Sequence, residues 1–118
     1  MAVIVERADL ARQRGANIIC ELSGFGMTSD ADNLLLPSAK GITAAMQAAL
    51  DDAGLKPHDI DYINAHGTGT EANDKTESAA IRAVFAHHAD LLSISSTKSA
   101  LGHSLGASGA IEAVVTAQ

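Results

Sequence analysis

The order of apolar and polar residues along the chain predicts short strands that alternate with helices. Apolar runs at residues 2–6 and 16–27 predict two strands, and the length of the second run indicates burial on both of its faces. Two shorter strands are predicted at residues 61–66 and 91–95, each followed by a glycine-containing loop. Strands that alternate with helices in this way are typical of an α/β layered fold.

Apolar residues at helical spacing predict the helices between these strands. A short helix at residues 8–15 ends at a glycine, which supplies the left-handed C-terminal conformation. Residues 42–53 have apolar side chains at positions i, i+3, i+4 and i+7, and Gly54 ends that helix. The preceding segment, residues 28–39, contains one proline and is predicted to be a polar loop.

Two further helices complete the pattern. Asp74 and Glu77 have the N-cap and N3 spacing of a capping box, so a helix is predicted to begin near Asp74. The last helix is predicted from about Ala107 onward. The sequence contains no repeat and no low-complexity tract, so we expect a single α/β unit.

Alanine dominates the apolar composition and limits the core that this chain builds alone. Of its 118 residues, 23 are alanine and three are aromatic. Because apolar burial stabilises by roughly 25 cal/mol per Å², small side chains predict a thin core. The chain also begins directly in a predicted strand and ends in a helix without a stop signal. We therefore expect a fragment of a longer protein, truncated at both ends.

Charge and hydropathy exclude several classes of function. The net charge is −6 and the basic residues are scattered, whereas nucleic-acid binding needs a basic stripe. No apolar run approaches the ~20 residues that span a bilayer, and the N-terminus has no signal-peptide pattern. The single cysteine, Cys20, is typical of a reducing compartment. We expect a cytoplasmic protein with no nucleic-acid or membrane partner.

Two glycine-rich loops hold the candidate chemistry. The sequences NAHGTGT and STKSALGHSLGASG each follow a short predicted strand, and functional groups in open α/β sheets gather where strands end. Each loop carries one histidine, His66 or His103, and the second loop also carries Lys98. The neighbouring glycines allow backbone and ligand to approach closely. The five histidines lack the spacing of a metal site, so no metal is predicted.

Ser104 provides an alternative interpretation of the second loop. Residues 102–106 match the G-x-S-x-G pattern of a nucleophile elbow, in which Ser104 would attack a substrate. An elbow needs a strand that runs directly into the turn, whereas "STKSAL" separates Ser104 from its predicted strand. The favoured interpretation is that Ser104 precedes the last helix, and the hydrolase alternative stays open.

Taken together, the two loops resemble known signature sequences. NAHGTGTEANDKTE and SSTKSALGHSLGASGAIEA are similar, in this order, to the two C-terminal signature blocks of the β-ketoacyl-acyl carrier protein synthases of the thiolase superfamily. Two histidines are typical of the elongating enzymes, and the sequence resembles bacterial synthase II most. The resemblance implies a partial thiolase-like layered fold, with a mixed β-sheet and helices on its faces. It places residues 1–118 in the C-terminal half of the domain.

The resemblance also implies an activity and its partners. It implies an acyltransferase that lengthens an acyl chain by decarboxylative condensation with malonyl-acyl carrier protein, in fatty acid or related polyketide biosynthesis. No cofactor is implied, since the phosphopantetheine arm of acyl carrier protein carries the substrates. The implied partners are acyl carrier protein and, for the intact enzyme, a second copy of itself.

Each matching residue receives an implied role. His66 and His103 would donate N–H bonds to an enolate oxygen, as an oxyanion hole does. Lys98 would lie behind them, where its charge favours neutral imidazoles and requires acidic partners. The implied partners of Lys98 are Glu77 and Asp74. Two hydroxyls would hold the amides of the phosphopantetheine arm, those of Thr68 and Thr70.

One catalytic group of the family has no match in this chain. The family's nucleophile is a cysteine at the head of a buried helix, whereas Cys20 lies in a predicted strand. We therefore expect the isolated chain to be inactive. Two alternatives remain, a serine hydrolase or malonyl transferase that uses Ser104, and a non-catalytic remnant of a synthase.

Overall fold

The computed structural model describes residues 2–31, 33 and 36–118, so part of the predicted loop 28–39 lies outside the described residues. In chain order the described residues form α1 (Ala8–Gln13), α2 (Ala39–Ala53), β1 (Tyr62–Asn64), α3 (Glu71–Phe85), β2 (Ser93–Ser95), α4 (Lys98–Leu101) and α5 (Ser108–Ala117). Short 3₁₀ helices lie at Pro57–Asp59, Ala86–Asp90 and Leu105–Ala107. This order of strands and helices confirms the predicted α/β class.

The first two predicted strands form no regular secondary structure and belong to no sheet. Residues 2–6 and 16–27 have no strand partner among the described residues. Their apolar side chains are exposed, with Ile4 at 94% and Leu22 at 77%. The prediction that residues 16–27 are buried on both faces is therefore wrong for this chain. A strand needs a neighbour that pairs with its backbone N–H and C=O groups, and no described segment supplies one.

Two glycines let the segment of residues 16–27 lie directly on α2. A Cβ on Gly26 would lie 2.0 Å from the carbonyl oxygen of Ala45, and one on Gly24 would lie 2.3 Å from that of Ala49. Only residues without a Cβ allow the two backbones to approach this closely. Alanine on the facing side of α2 keeps the contact close, which is how an alanine-rich helix contributes to packing.

Both ends of α2 are capped. The hydroxyl of Ser38 accepts a hydrogen bond from the Gly41 N–H at 3.4 Å, and this satisfies one of the free donors of the first turn. Gly54 adopts the left-handed conformation, with φ of 67°, and ends the helix as predicted. Gly15 has the same conformation just after α1, with φ of 69°.

The sheet of the described residues is one parallel pair. Tyr62 of β1 lies opposite Ser93 of β2, and Asn64 lies opposite Ser95. Helix α2 packs against α3, and the buried apolar side chains belong mostly to these two helices: Leu50, Ala80, Ile81 and Phe85. No large described side chain is less than 2% exposed, in agreement with the thin core expected from the alanine content.

Helix α3 begins one turn earlier than its sequence pattern predicts. The N-cap is Thr70, whose hydroxyl accepts from the Asn73 N–H at 3.3 Å, and the first helical residue is Glu71. Asp74 lies in the first turn and Glu77 lies inside the helix, so the capping-box prediction is wrong. Helix α5 begins at Ser108, within one residue of the predicted start.

Candidate active site

Both histidine loops leave the sheet at the same edge. Because β1 and β2 are parallel, their carboxyl ends lie side by side, and this is the edge at which α/β sheets hold their ligands. His66 follows β1 after one buried residue, Ala65, whereas His103 follows β2 and the short helix α4. The parallel pairing thus brings together two loops that are distant in the sequence.

The imidazole rings of His66 and His103 lie against each other. Their centroids are 5.5 Å apart and their planes meet at 88°, which is an edge-to-face arrangement. Both residues are exposed. The structure therefore brings together the two histidines that the sequence singled out, at a surface that is open to solvent in this chain.

The backbone around His103 determines which ring nitrogen carries the proton. The Leu105 N–H donates a hydrogen bond to His103 Nδ1 at 3.1 Å. A backbone amide only donates, so Nδ1 accepts, and the neutral ring carries its proton on Nε2. His103 consequently presents an N–H donor on the far side of its ring from Leu105.

Glu77 holds the loop that carries His66. Its carboxylate accepts from the backbone N–H of His66 at 2.8 Å and from that of Gly67 at 2.9 Å. The side-chain amide of Asn73 donates to it at 3.2 Å. Glu77 is 7% exposed, and three N–H donors compensate the burial of its charge. Its role in this chain is to fix the backbone on either side of the Cα of His66.

Lys98 pairs with Glu112, which corrects the expectation that Glu77 and Asp74 are its acidic partners. The ion pair joins α4 to α5, and the side chains of Lys98 and Glu112 are 5% and 19% exposed. Glu77 is occupied by backbone amides, and the carboxylate of Asp74 accepts from Asn73 at 3.1 Å. The acid that pairs with Lys98 therefore lies on α5.

Sequence reasoning missed Glu112, although a signal for it was present. Within GAIEAVVTAQ, Glu112 is the only charged residue. A charge on an otherwise apolar helix is exposed or paired, since an unpaired carboxylate is costly to bury. The same reasoning applied to Lys98 predicts a partner on a neighbouring element.

Thr68 and Thr70 stabilise the His66 loop in this structure. Their hydroxyls are hydrogen-bonded to each other at 2.9 Å, and Thr70 also caps α3. These contacts connect the loop to the start of the helix. The predicted contacts with a phosphopantetheine arm remain a prediction.

Ser104 does not have the geometry of a nucleophile elbow. Strand β2 ends at Ser95 and helix α4 comes between the strand and Ser104, so no strand runs directly into this turn. The Ser104 side chain makes no capping bond to the 3₁₀ helix that follows. Its backbone N–H donates instead to the hydroxyl of Ser108 at 3.0 Å.

Gly67 is expected to be less replaceable than Gly69 in the same loop. Both have positive φ, but a Cβ on Gly67 would lie 2.5 Å from the Cβ of Ser96, whereas one on Gly69 meets nothing within 4 Å. The Ser96 hydroxyl is held in place by a 2.7 Å bond to the Gly67 carbonyl. Overpacking typically costs about 1–3 kcal/mol, so Gly67→Ala should lower the free energy of unfolding by that much more than Gly69→Ala. Urea denaturation measures both losses, and equal losses would show that Ser96 does not restrict this position.

The arginines near the N-terminus form no free basic patch. Each is paired with an acid: Arg7 with Asp9, Arg12 with Glu21 and Arg14 with Glu6. The Arg14 guanidinium hydrogen-bonds to Glu6 and lowers the pKa of that carboxyl.

No helix in the described part of the chain combines the length and hydropathy that a membrane crossing requires.

The fold and the two loops place this chain in a known family. The family model described as beta-ketoacyl synthase, C-terminal domain, matches residues 19–118, and the chain belongs to this family. Nodulation protein E of Rhizobium sp. (strain N33) is 53% identical over 94% of the chain. The 3-oxoacyl-[acyl-carrier-protein] synthase 2 of Coxiella burnetii is 48% identical over 97% of the chain. The chain spans 28% of the length of each of these relatives.

A solved structure supports the same assignment. It is described as a type II polyketide synthase acyl-carrier protein in complex with its ketosynthase bound to the hexaketide. A chain of that complex superposes with a TM-score of 0.90 at 38% identity, over 95% of this chain and 28% of that chain. The likeness confirms the predicted partial thiolase-like α/β fold.

Proposed function

We propose that the protein carrying this chain is an elongating β-ketoacyl-acyl carrier protein synthase, and that this chain supplies its two histidines. The observation that carries the proposal is the contact between His66 and His103 at 5.5 Å, with the proton of His103 on Nε2. Two N–H donors that converge on one oxygen stabilise the negative charge that develops there. This is what the decarboxylation of a malonyl thioester requires.

The proposed reaction has two parts. First, the acyl group passes from the thiol of acyl carrier protein to a cysteine of the enzyme, and the carrier thiol is released. Second, malonyl-acyl carrier protein loses CO₂. The electron pair of the broken carbon–carbon bond forms an enolate, whose oxygen His66 and His103 stabilise. The carbanion then attacks the acyl-cysteine carbonyl, a carbon–carbon bond forms, and the cysteine thiolate leaves.

Lys98 is proposed to act together with the two histidines. A buried ammonium stays charged when a carboxylate is beside it, and Glu112 provides that carboxylate. Lys98, His66 and His103 are the proposed catalytic residues, with Glu112 added to the supporting group.

The proposed partners follow from the substrate chemistry. Acyl carrier protein delivers both thioesters, and the solved complex of a ketosynthase with its acyl-carrier protein supports this choice. The exposed hydroxyl of Thr70, together with that of Thr68, is proposed to bond the amides of the phosphopantetheine arm. The intact enzyme is proposed to be a cytoplasmic homodimer.

The nucleophile is proposed to come from outside these 118 residues. Cys20 is exposed and lies within residues 16–27, which precede α2. It does not lie at the N-terminus of a helix. A reactive thiolate needs positive charge or a helix N-terminus beside it, because these lower the thiol pKa. Cys20 is therefore assigned no role in acyl transfer.

Incubation with acyl- and malonyl-acyl carrier protein tests the proposal. The whole protein should form β-ketoacyl-acyl carrier protein and release one CO₂ per product, whereas the 118-residue chain alone should form none. Mass spectrometry of the carrier protein measures the β-ketoacyl product in both incubations, and labelled malonyl groups measure the CO₂ released. The matched variant Cys20→Ser in the whole protein should keep full activity, because Cys20 is not the nucleophile.

Two other results would favour the alternative functions. Hydrolysis of the acyl thioester without CO₂ release would support a serine hydrolase. A folded whole protein that binds acyl carrier protein without turnover would support a non-catalytic remnant.

A further inference from the structure

Ser108 lies beside Nδ1 of His103, at a position to which the sequence analysis assigned no function. It is the first residue of α5 and is 8% exposed, whereas Ser104 in the same loop is exposed. The hydroxyl of Ser108 lies 3.0 Å from the backbone nitrogen of Ser104 and 3.3 Å from His103 Nδ1. Of these two serines, the buried one therefore contacts the histidine.

The donors and acceptors around this hydroxyl can be assigned. The Ser104 amide only donates, so the Ser108 oxygen accepts from it. His103 Nδ1 already accepts from the Leu105 N–H, so Nδ1 carries no proton in the neutral ring. The Ser108 hydroxyl can then direct its proton at Nδ1. It acts as a second donor, beside the Leu105 N–H, to the lone pair of that nitrogen.

The conformation of Leu105 indicates that the loop is built around this contact. Leu105 has φ of 50°, a conformation that is unfavourable for residues other than glycine. Its side chain is 80% exposed, so burial of the leucine does not compensate for the strain. Strained backbone of this kind concentrates at functional sites, and here it belongs to the residue whose N–H contacts Nδ1.

We propose that Ser108 is a positioning residue for His103. Its hydroxyl, together with the Leu105 N–H, holds the neutral ring in the tautomer that carries its proton on Nε2. The inference rests on the proposed function, because that tautomer is the one in which His103 donates to an enolate oxygen. Ser108 itself touches no reacting atom in this proposal.

Two variants of the whole protein isolate the hydroxyl. Ser108→Ala removes the donor to Nδ1, and Ser108→Thr restores one at the same position. Ser104→Ala is the matched control, because it removes an exposed hydroxyl from the same loop and keeps the Ser104 backbone N–H that bonds to Ser108. Melting curves verify that each variant is folded.

The kinetic readout is kcat and KM for decarboxylation of malonyl-acyl carrier protein. Loss of one hydrogen bond should lower kcat about five- to tenfold for Ser108→Ala, with KM and the rate of cysteine acylation unchanged. Ser108→Thr should recover most of the rate, and Ser104→Ala should match the wild type. An unchanged kcat in Ser108→Ala, or an equal loss in Ser104→Ala, would overturn the proposal.

The tautomer is measured separately, by ¹⁵N NMR of the whole protein labelled at histidine. His103 should be protonated at Nε2 in the wild type, and its Nδ1 resonance should shift in Ser108→Ala, where only the Leu105 N–H still donates to that nitrogen. A wild-type ring protonated at Nδ1 would refute the inference without any variant. This measurement needs no turnover, so it distinguishes failure of the positioning role from failure of the proposed condensing function.

Discussion

In the whole protein, replacement of either His66 or His103 by alanine is expected to lower the rate of malonyl-acyl carrier protein decarboxylation by about 10²–10³. In the proposed reaction each ring supplies one of two N–H donors to the enolate oxygen, and the ring centroids lie 5.5 Å apart. Release of labelled CO₂ measures this step without requiring condensation.

The same variants should still accept an acyl group on the proposed catalytic cysteine, because in the proposed reaction acyl transfer precedes the formation of the enolate. His87→Ala is the matched control, since His87 is also exposed but belongs to the 3₁₀ helix Ala86–Asp90 and to neither loop. Decarboxylation at the wild-type rate in either loop variant would contradict the assignment of that histidine.

Replacement of Glu112 by alanine is expected to lower the free energy of unfolding by about 3 kcal/mol, because it leaves the ammonium of Lys98 buried and unpaired. The side chain of Lys98 is only 5% exposed and gains little from water. Lys98→Ala should cost less, since the carboxylate of Glu112 is 19% exposed and is more readily hydrated. Urea denaturation of the whole protein measures both losses.

The double variant separates the ion pair from other effects of the two substitutions. If the pair accounts for the loss, Lys98→Ala combined with Glu112→Ala should be less destabilising than the sum of the single variants. Additive losses would mean that the two side chains do not stabilise each other. A larger loss for Lys98→Ala than for Glu112→Ala would contradict the burial argument.

The ends of helices were predictable where one residue determines them. Gly54 ends α2 and Gly15 follows α1 because both adopt positive φ, which glycine does without steric cost. The start of α3 was less predictable. Thr70 and Asp74 are both residue types that cap helices well, and each is followed by a glutamate, Glu71 or Glu77. Thr70 is the cap in the structure, and Glu77 accepts from the backbone of the His66 loop instead of from an N-cap amide.

The sequence by itself determined the α/β class and the two glycine-rich loops, and it singled out the candidate residues of these loops. These depend on spacing within short stretches, so the order of His66, Lys98 and His103 was enough to indicate them. Their geometry depended on contacts between elements that are distant in the chain. The parallel pairing of β1 and β2 placed the histidines together, and the fold brought Glu112 of α5 to Lys98 of α4.

Residues 2–6 and 16–27 show most clearly that a sequence pattern alone does not determine tertiary contacts. Residues 2–6 and 16–27 have the composition of strands, but a strand exists only where another backbone pairs with it, and no described residue does so. The tautomer of His103 was likewise decided by the fold, because the turn at Leu105 and the start of α5 bring two donors to Nδ1. Sequence patterns report what a residue is able to do, and only the tertiary contacts select which of its possible partners it meets.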